Sequence, residues 1–146
     1  MNEAQITKER RKKLAALAKL MTKQSRRFMP VTGELINCFD LVLSTEETDF
    51  LISMGTDMLT YEKVEALFKP VGNGSKEIFD KLLGKGLIKI YYDNNGKEFY
   101  QLPGIVVGWF EKYLSSGQFT AEKKEFGRRF SEYLNSFYRL NRIPLR

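Results

Sequence analysis

The chain has 146 residues, a formal net charge of +6, one cysteine and no histidine. Without histidine, the commonest general base, the usual activator of a serine or cysteine nucleophile and the commonest metal ligand are missing, which excludes zinc sites and Ser-His or Cys-His catalysis. A composition of 42% hydrophobic and 13% aromatic residues argues against disorder and supports one compact domain with a sizeable core, while no apolar run reaches the ~18–20 residues of a membrane span.

Residues 1–30 carry nine Lys or Arg against two Glu, so the other 116 residues sum to −1 within the total of +6. Charges also occupy the place where a secretory signal would carry its apolar region. With Cys38 as the only thiol, the expected setting is reducing and cytoplasmic. Residues 3–28 suit a helix, because Ile6, Leu14, Leu17, Ala18 and Met21 recur at helical steps before Pro30 and Gly33 interrupt them. The run Arg10, Arg11, Lys12 and Lys13 on this helix reads as a solvated face or as a phosphate-contacting segment. Residues 33–43 predict a short helix with Leu35, Ile36, Phe39, Val42 and Leu43 on one side and Cys38 as a buried, inert thiol. Ser44 and Glu47 form a capping box that opens a helix holding Phe50, Leu51 and Met54, with a stop at Gly55.

Thr60 predicts the start of the next helix, whose Val64, Leu67 and Phe68 share a face. Pro70, Gly72 and Gly74 then supply a stop and a turn. Ser75 is expected to cap a helix with the stripe Ile78, Phe79, Leu82 and Leu83, closed by Gly84, Lys85 and Gly86. Residues 87–92 and 98–102 read as two strands joined around Asn95-Gly96, a strong hairpin signal. Pro103 suits the first turn of another helix carrying Ile105, Val106, Trp109, Phe110 and Tyr113. Thr120 caps a last helix whose Phe126, Phe130, Tyr133, Leu134, Phe137 and Tyr138 form an aromatic stripe, read either as core or as a homodimer or partner interface.

Helix, turn, helix and hairpin between Thr60 and Leu102 make the layout of a winged helix-turn-helix. The fold class expected is therefore mainly α with a small β-hairpin. It divides into a basic N-terminal helix (1–30), a winged-helix core (31–115) and an aromatic C-terminal helix (116–146), together one compact domain.

The candidate nucleic-acid contacts are Arg10, Arg11, Lys12 and Lys13 at the N-terminus, Ser75, Lys76, Lys81 and Lys85 on the reading helix, and Lys97 on the wing. Glu77 and Asp80 oppose the lysines of the reading helix, and arginine, the best reader of guanine, is absent from residues 28–127. No phosphate loop is present, since Gly72-Asn73-Gly74 lacks a preceding strand. Glu46 and Glu47 are accounted for by capping. No catalytic residue, metal ligand or cofactor is expected.

The run Leu82-Leu83-Gly84-Lys85-Gly86-Leu87-Ile88 resembles the end of the recognition helix and first wing strand of MarR-like regulators. A narrower likeness rests on Phe28-Met29-Pro30-Val31-Thr32-Gly33, Leu43-Ser44-Thr45-Glu46-Glu47, Leu102-Pro103-Gly104-Ile105-Val106-Val107-Gly108-Trp109-Phe110-Glu111 and Arg142-Ile143-Pro144-Leu145. These segments are similar to the N-terminal winged-helix module of ferredoxin-type 4Fe-4S proteins of anaerobes. The resemblance implies a cytoplasmic module placed ahead of cysteine-rich cluster motifs. Cys38 alone cannot hold a four-cysteine cluster, so the likeness leaves either an excised N-terminal module or a free-standing relative without clusters. Two functions follow: a DNA-binding regulator, or a docking module of an iron–sulfur electron-transfer protein.

Overall fold

The computed structural model describes residues 6–25, 29–71, 75–105, 109–115 and 119–140. Among these the chain forms α1 (Lys8–Gln24), α2 (Gly33–Val42), α3 (Thr45–Met54), α4 (Tyr61–Val71), α5 (Ser75–Gly84), β1 (Lys89–Tyr92), β2 (Glu98–Gln101), α6 (Trp109–Ser115) and α7 (Ala121–Leu140). The class is mainly α with one small antiparallel hairpin, as the sequence leads one to expect.

Local chemistry sets most helix ends. Thr7 accepts the Arg10 amide at 3.1 Å, so α1 starts later than the expected residue 3, and Ser25 is already extended. Ser25 is held there because its hydroxyl donates to the Met21 carbonyl and accepts the Ile105 amide at 2.9 Å. In the capping box of α3, Ser44 accepts the Glu47 amide and Glu47 accepts the Ser44 amide at 2.8 Å, an arrangement that contributes on the order of 1 kcal/mol. Gly55 stops the helix at a φ of +66°. Thr60 and Thr120 cap α4 and α7 as expected.

α4 continues through Pro70 to Val71, so the helix ends one residue after the proline rather than before it. The turn at Gly72 and Gly74, the side chains of Phe68, Ser75, Phe137 and Tyr138, and Val106 and residues 141–146 lie outside the described part.

The end of α5 is a Schellman stop: Leu87 donates to the Leu82 carbonyl at 2.9 Å and Gly86 to that of Leu83 at 3.1 Å. Gly86 has a φ of +78°, and a Cβ there would lie 2.5 Å from Cγ of Lys112. Only glycine serves at this crossing of α5 and α6.

β1 and β2 pair with Ile90 opposite Tyr100 and Tyr92 opposite Glu98. Gly96, at φ +83°, is the only residue of the turn with positive φ. The turn is therefore a three-residue loop with a glycine bulge rather than a two-residue Asn-Gly turn, which needs positive φ at both positions. Asp93 fixes it by accepting the amides of Asn95 at 2.8 Å and Lys97 at 2.9 Å. Leu59 adds a third rung: its amide and carbonyl both bond Tyr100 at 2.8 Å, on the side of β2 away from β1.

Residues 102–104 do not begin α6 at Pro103 as expected. They dock instead against the end of α1: the Gln24 side-chain amide donates from Nε2 to the Leu102 carbonyl at 3.0 Å, and a Cβ on Gly104 would lie 2.7 Å from the Gln24 backbone carbonyl oxygen.

One buried cluster joins the helices of both chain ends to the hairpin. Phe39 stacks on Trp109 with ring centroids 4.7 Å apart and an interplanar angle of 9°, and Phe126, Phe130 and Tyr133 of α7 complete this layer. A second aromatic group, Tyr61, Phe79 and Tyr100, seats α4 and α5 on β2. Such ring pairs contribute about 1 kcal/mol beyond their burial.

Candidate nucleic-acid interface

α1 turns Leu14, Leu17, Ala18 and Met21 into the core. By the 100° advance of an α-helix, Lys8, Lys12, Lys19 and Lys23 fall together on the opposite side, with Arg11 beside them. All five are exposed. No ion pair or side-chain hydrogen bond engages any of them among the described residues. From Lys8 to Lys23 the row is ~22 Å long at 1.5 Å per residue, longer than the ~12 Å width of the DNA major groove.

The other two N-terminal candidates play a different part. The Arg10 guanidinium lies 2.6 Å from the Asp40 carboxylate and donates to the Leu43 carbonyl at 2.7 Å, so it ties α1 to the junction of α2 and α3. Lys13 pairs with Asp49 of α3 at 3.0 Å. The structure thus splits the basic run: Arg11 and Lys12 face outward, whereas Arg10 and Lys13 hold helices together.

α5 offers less free charge than its lysines suggest. Lys76 pairs with Asp80 at 3.1 Å, and that carboxylate holds the ammonium above its ordinary pKa. Lys85 reaches back to α3, bonding the Val42 carbonyl and the Glu47 carboxylate at 2.9 Å. Glu47 is buried and therefore needs this cation. Ser75 opens α5. Lys81 is exposed and has no carboxylate partner among the described residues. On the hairpin, the Lys97 ammonium lies 5.8 Å from the centre of the Phe99 ring, with the exposed carboxylates of Asp93 and Glu98 nearby in sequence.

The aromatic stripe of α7 is core where it is described. Phe126, Phe130 and Tyr133 are buried within the chain itself, so they are not available to a second copy. Tyr133 donates to the Pro30 carbonyl at 2.8 Å, and burial raises its pKa. Cys38 is fully buried, and burial pushes its thiol up to about 12, leaving almost no thiolate at neutral pH.

Residues missed by sequence reasoning are Lys8, Lys19 and Lys23, which complete the outer row, and Leu59, which extends the sheet. The row was visible as a 4-7-4 spacing of lysines at 8, 12, 19 and 23. Leu59 carries no comparable local signal.

No protein-family model matches the chain, and no match is found among the curated proteins or the solved structures. No described helix is long and apolar enough to cross a membrane.

Proposed function

We propose that this is a non-catalytic, cytoplasmic winged-helix protein of the transcription-regulator type that binds duplex DNA, gripping its phosphates with the outer face of α1. The observation that carries this reading is the row of five exposed cations, Lys8, Arg11, Lys12, Lys19 and Lys23, which have no ion-pair partner among the described residues. Unpaired cations release counterions from DNA without first losing a protein carboxylate. The order α4, α5, β1, β2 supports the winged-helix assignment, with Lys81 and Lys97 as minor additional contacts.

The binding predicted is strong in phosphate contacts and poor in base reading, because α5 balances Lys76 and Lys81 against Glu77 and Asp80. Titrating a duplex of arbitrary sequence at about 50 mM and about 200 mM salt tests this. Five phosphate contacts give a log–log slope of about −4.5, a roughly 500-fold loss across that range. Absence of binding at the lower salt refutes the proposal.

A second reading, a docking module like that heading ferredoxin-type iron–sulfur proteins, is favoured by the zero balance of the exposed charges on α5. It predicts no DNA binding at either salt concentration.

A further inference from the structure

The two edges of the small sheet are not equivalent. Tyr100 sends both its amide and its carbonyl to Leu59, away from β1. In an antiparallel ladder a residue whose polar groups point away from its neighbour belongs to a non-hydrogen-bonded pair, and its partner points its own groups outward as well. Ile90 is that partner. Its amide and carbonyl therefore face away from β2, and Tyr92, two residues on, repeats the direction. No backbone group among the described residues pairs with this edge of β1. Ile90 is 36% exposed and Tyr92 is 63% exposed, both large apolar side chains on an open edge.

A cleft of about 390 Å³ opens alongside, with Leu83, Ile88, Ile90 and Pro103 as apolar lining and Lys89 and Lys112 as its cations. The Cβ and Cγ of Lys112 lie directly against Gly86, where no side chain fits. Neither lysine has a carboxylate partner among the described residues, although the Lys89 ammonium lies 5.0 Å from the Tyr91 ring centre. Open main-chain groups, an apolar recess and unneutralised cations thus meet along one strand.

We propose that the free edge of β1 docks an extended peptide segment of a partner protein by strand addition. Such a segment would pair its main chain with Ile90 and Tyr92, place an apolar side chain in the cleft and direct acidic side chains to Lys89 and Lys112. Main-chain pairing supplies affinity in this mode, and the recess and charges supply selectivity. The inference uses none of the α1 cations and stands apart from the DNA reading.

The test uses the full chain labelled with ¹⁵N and a capped ten-residue peptide of alternating glutamate and valine. Expected are saturable shifts at Ile90, Tyr92 and Lys112, together with slower hydrogen exchange of the Ile90 and Tyr92 amides. Methylating alternate backbone nitrogens of the peptide should weaken binding by about tenfold or more, since it removes the pairing and leaves the side chains. Replacing its glutamates by lysines should do the same. Lys112→Gln, an exposed change, should weaken the glutamate peptide roughly three- to tenfold. Equal binding of the methylated peptide, equal binding of the lysine peptide, the same shifts from hexanoate alone, or no saturable shift at millimolar peptide would each overturn the proposal.

Discussion

The outer faces of α1 and α5 both look basic in sequence, but they differ in what surrounds their cations. On α1, five exposed cations stand against the single exposed carboxylate of Glu9, and none of the five is in an ion pair among the described residues. On α5, Lys76 is taken by Asp80 and the Lys85 that follows the helix is taken by Glu47. Counting lysines is thus a poor guide to a phosphate-binding surface. The useful quantity is the number of cations that are not already serving the fold. By that measure α5 is nearly neutral, and α1 is the electropositive helix.

The contrast can be strained from several sides. The largest expected effect is from Lys85→Ala, which strands the buried Glu47 carboxylate. A loss of about 3 kcal/mol in urea unfolding is expected, and a loss under 1 kcal/mol would return Lys85 to the list of free cations. Arg10→Ala removes the ties to Asp40 and Leu43 and should cost about 2 kcal/mol. DNA affinity of the folded variant should stay within threefold of wild type.

A smaller effect concerns acid stability. Glu125 accepts hydrogen bonds from Arg128 and Arg129, which hold its carboxyl down at about 2. Its folded pKa lies below the unfolded one. The stabilisation is therefore complete above the ordinary carboxylate pKa and disappears as pH falls through about 2. Glu125→Gln should flatten this acid limb in thermal melts between about pH 5 and pH 2, and an unchanged limb would show the cluster to be inert. Smallest is Lys81→Glu, expected to change DNA affinity less than threefold beyond its general charge effect. A loss of tenfold or more would restore α5 as a principal contact.

Much of the fold was legible because its signals are local. Ser44 and Glu47, Thr60, Thr120 and the glycines at 55, 86 and 96 act within a few residues of themselves, and they fall where the sequence places them. The exceptions depend on distant partners. The end of α1 is set by Ser25 receiving an amide from Ile105, 80 positions away. The exclusion of Pro103 from a helix follows from Gly104 packing against Gln24.

The same division explains the candidate site. Helical spacing alone reveals the row at 8, 12, 19 and 23. The loss of Arg10 to Asp40, 30 residues on, and of Lys85 to Glu47, 38 residues back, requires the tertiary fold. Sequence could locate the charge but not say which part of it was free.

The most direct test of the central claim is a salt titration with one duplex and three proteins: wild type, the Lys8→Gln, Lys12→Gln, Lys19→Gln, Lys23→Gln variant, and a Lys81→Gln, Lys97→Gln variant. If α1 is the phosphate grip, the log–log slope falls from about −4.5 to about −1 in the first variant and stays within about 0.5 of −4.5 in the second. An unchanged slope in the four-lysine variant would contradict the account.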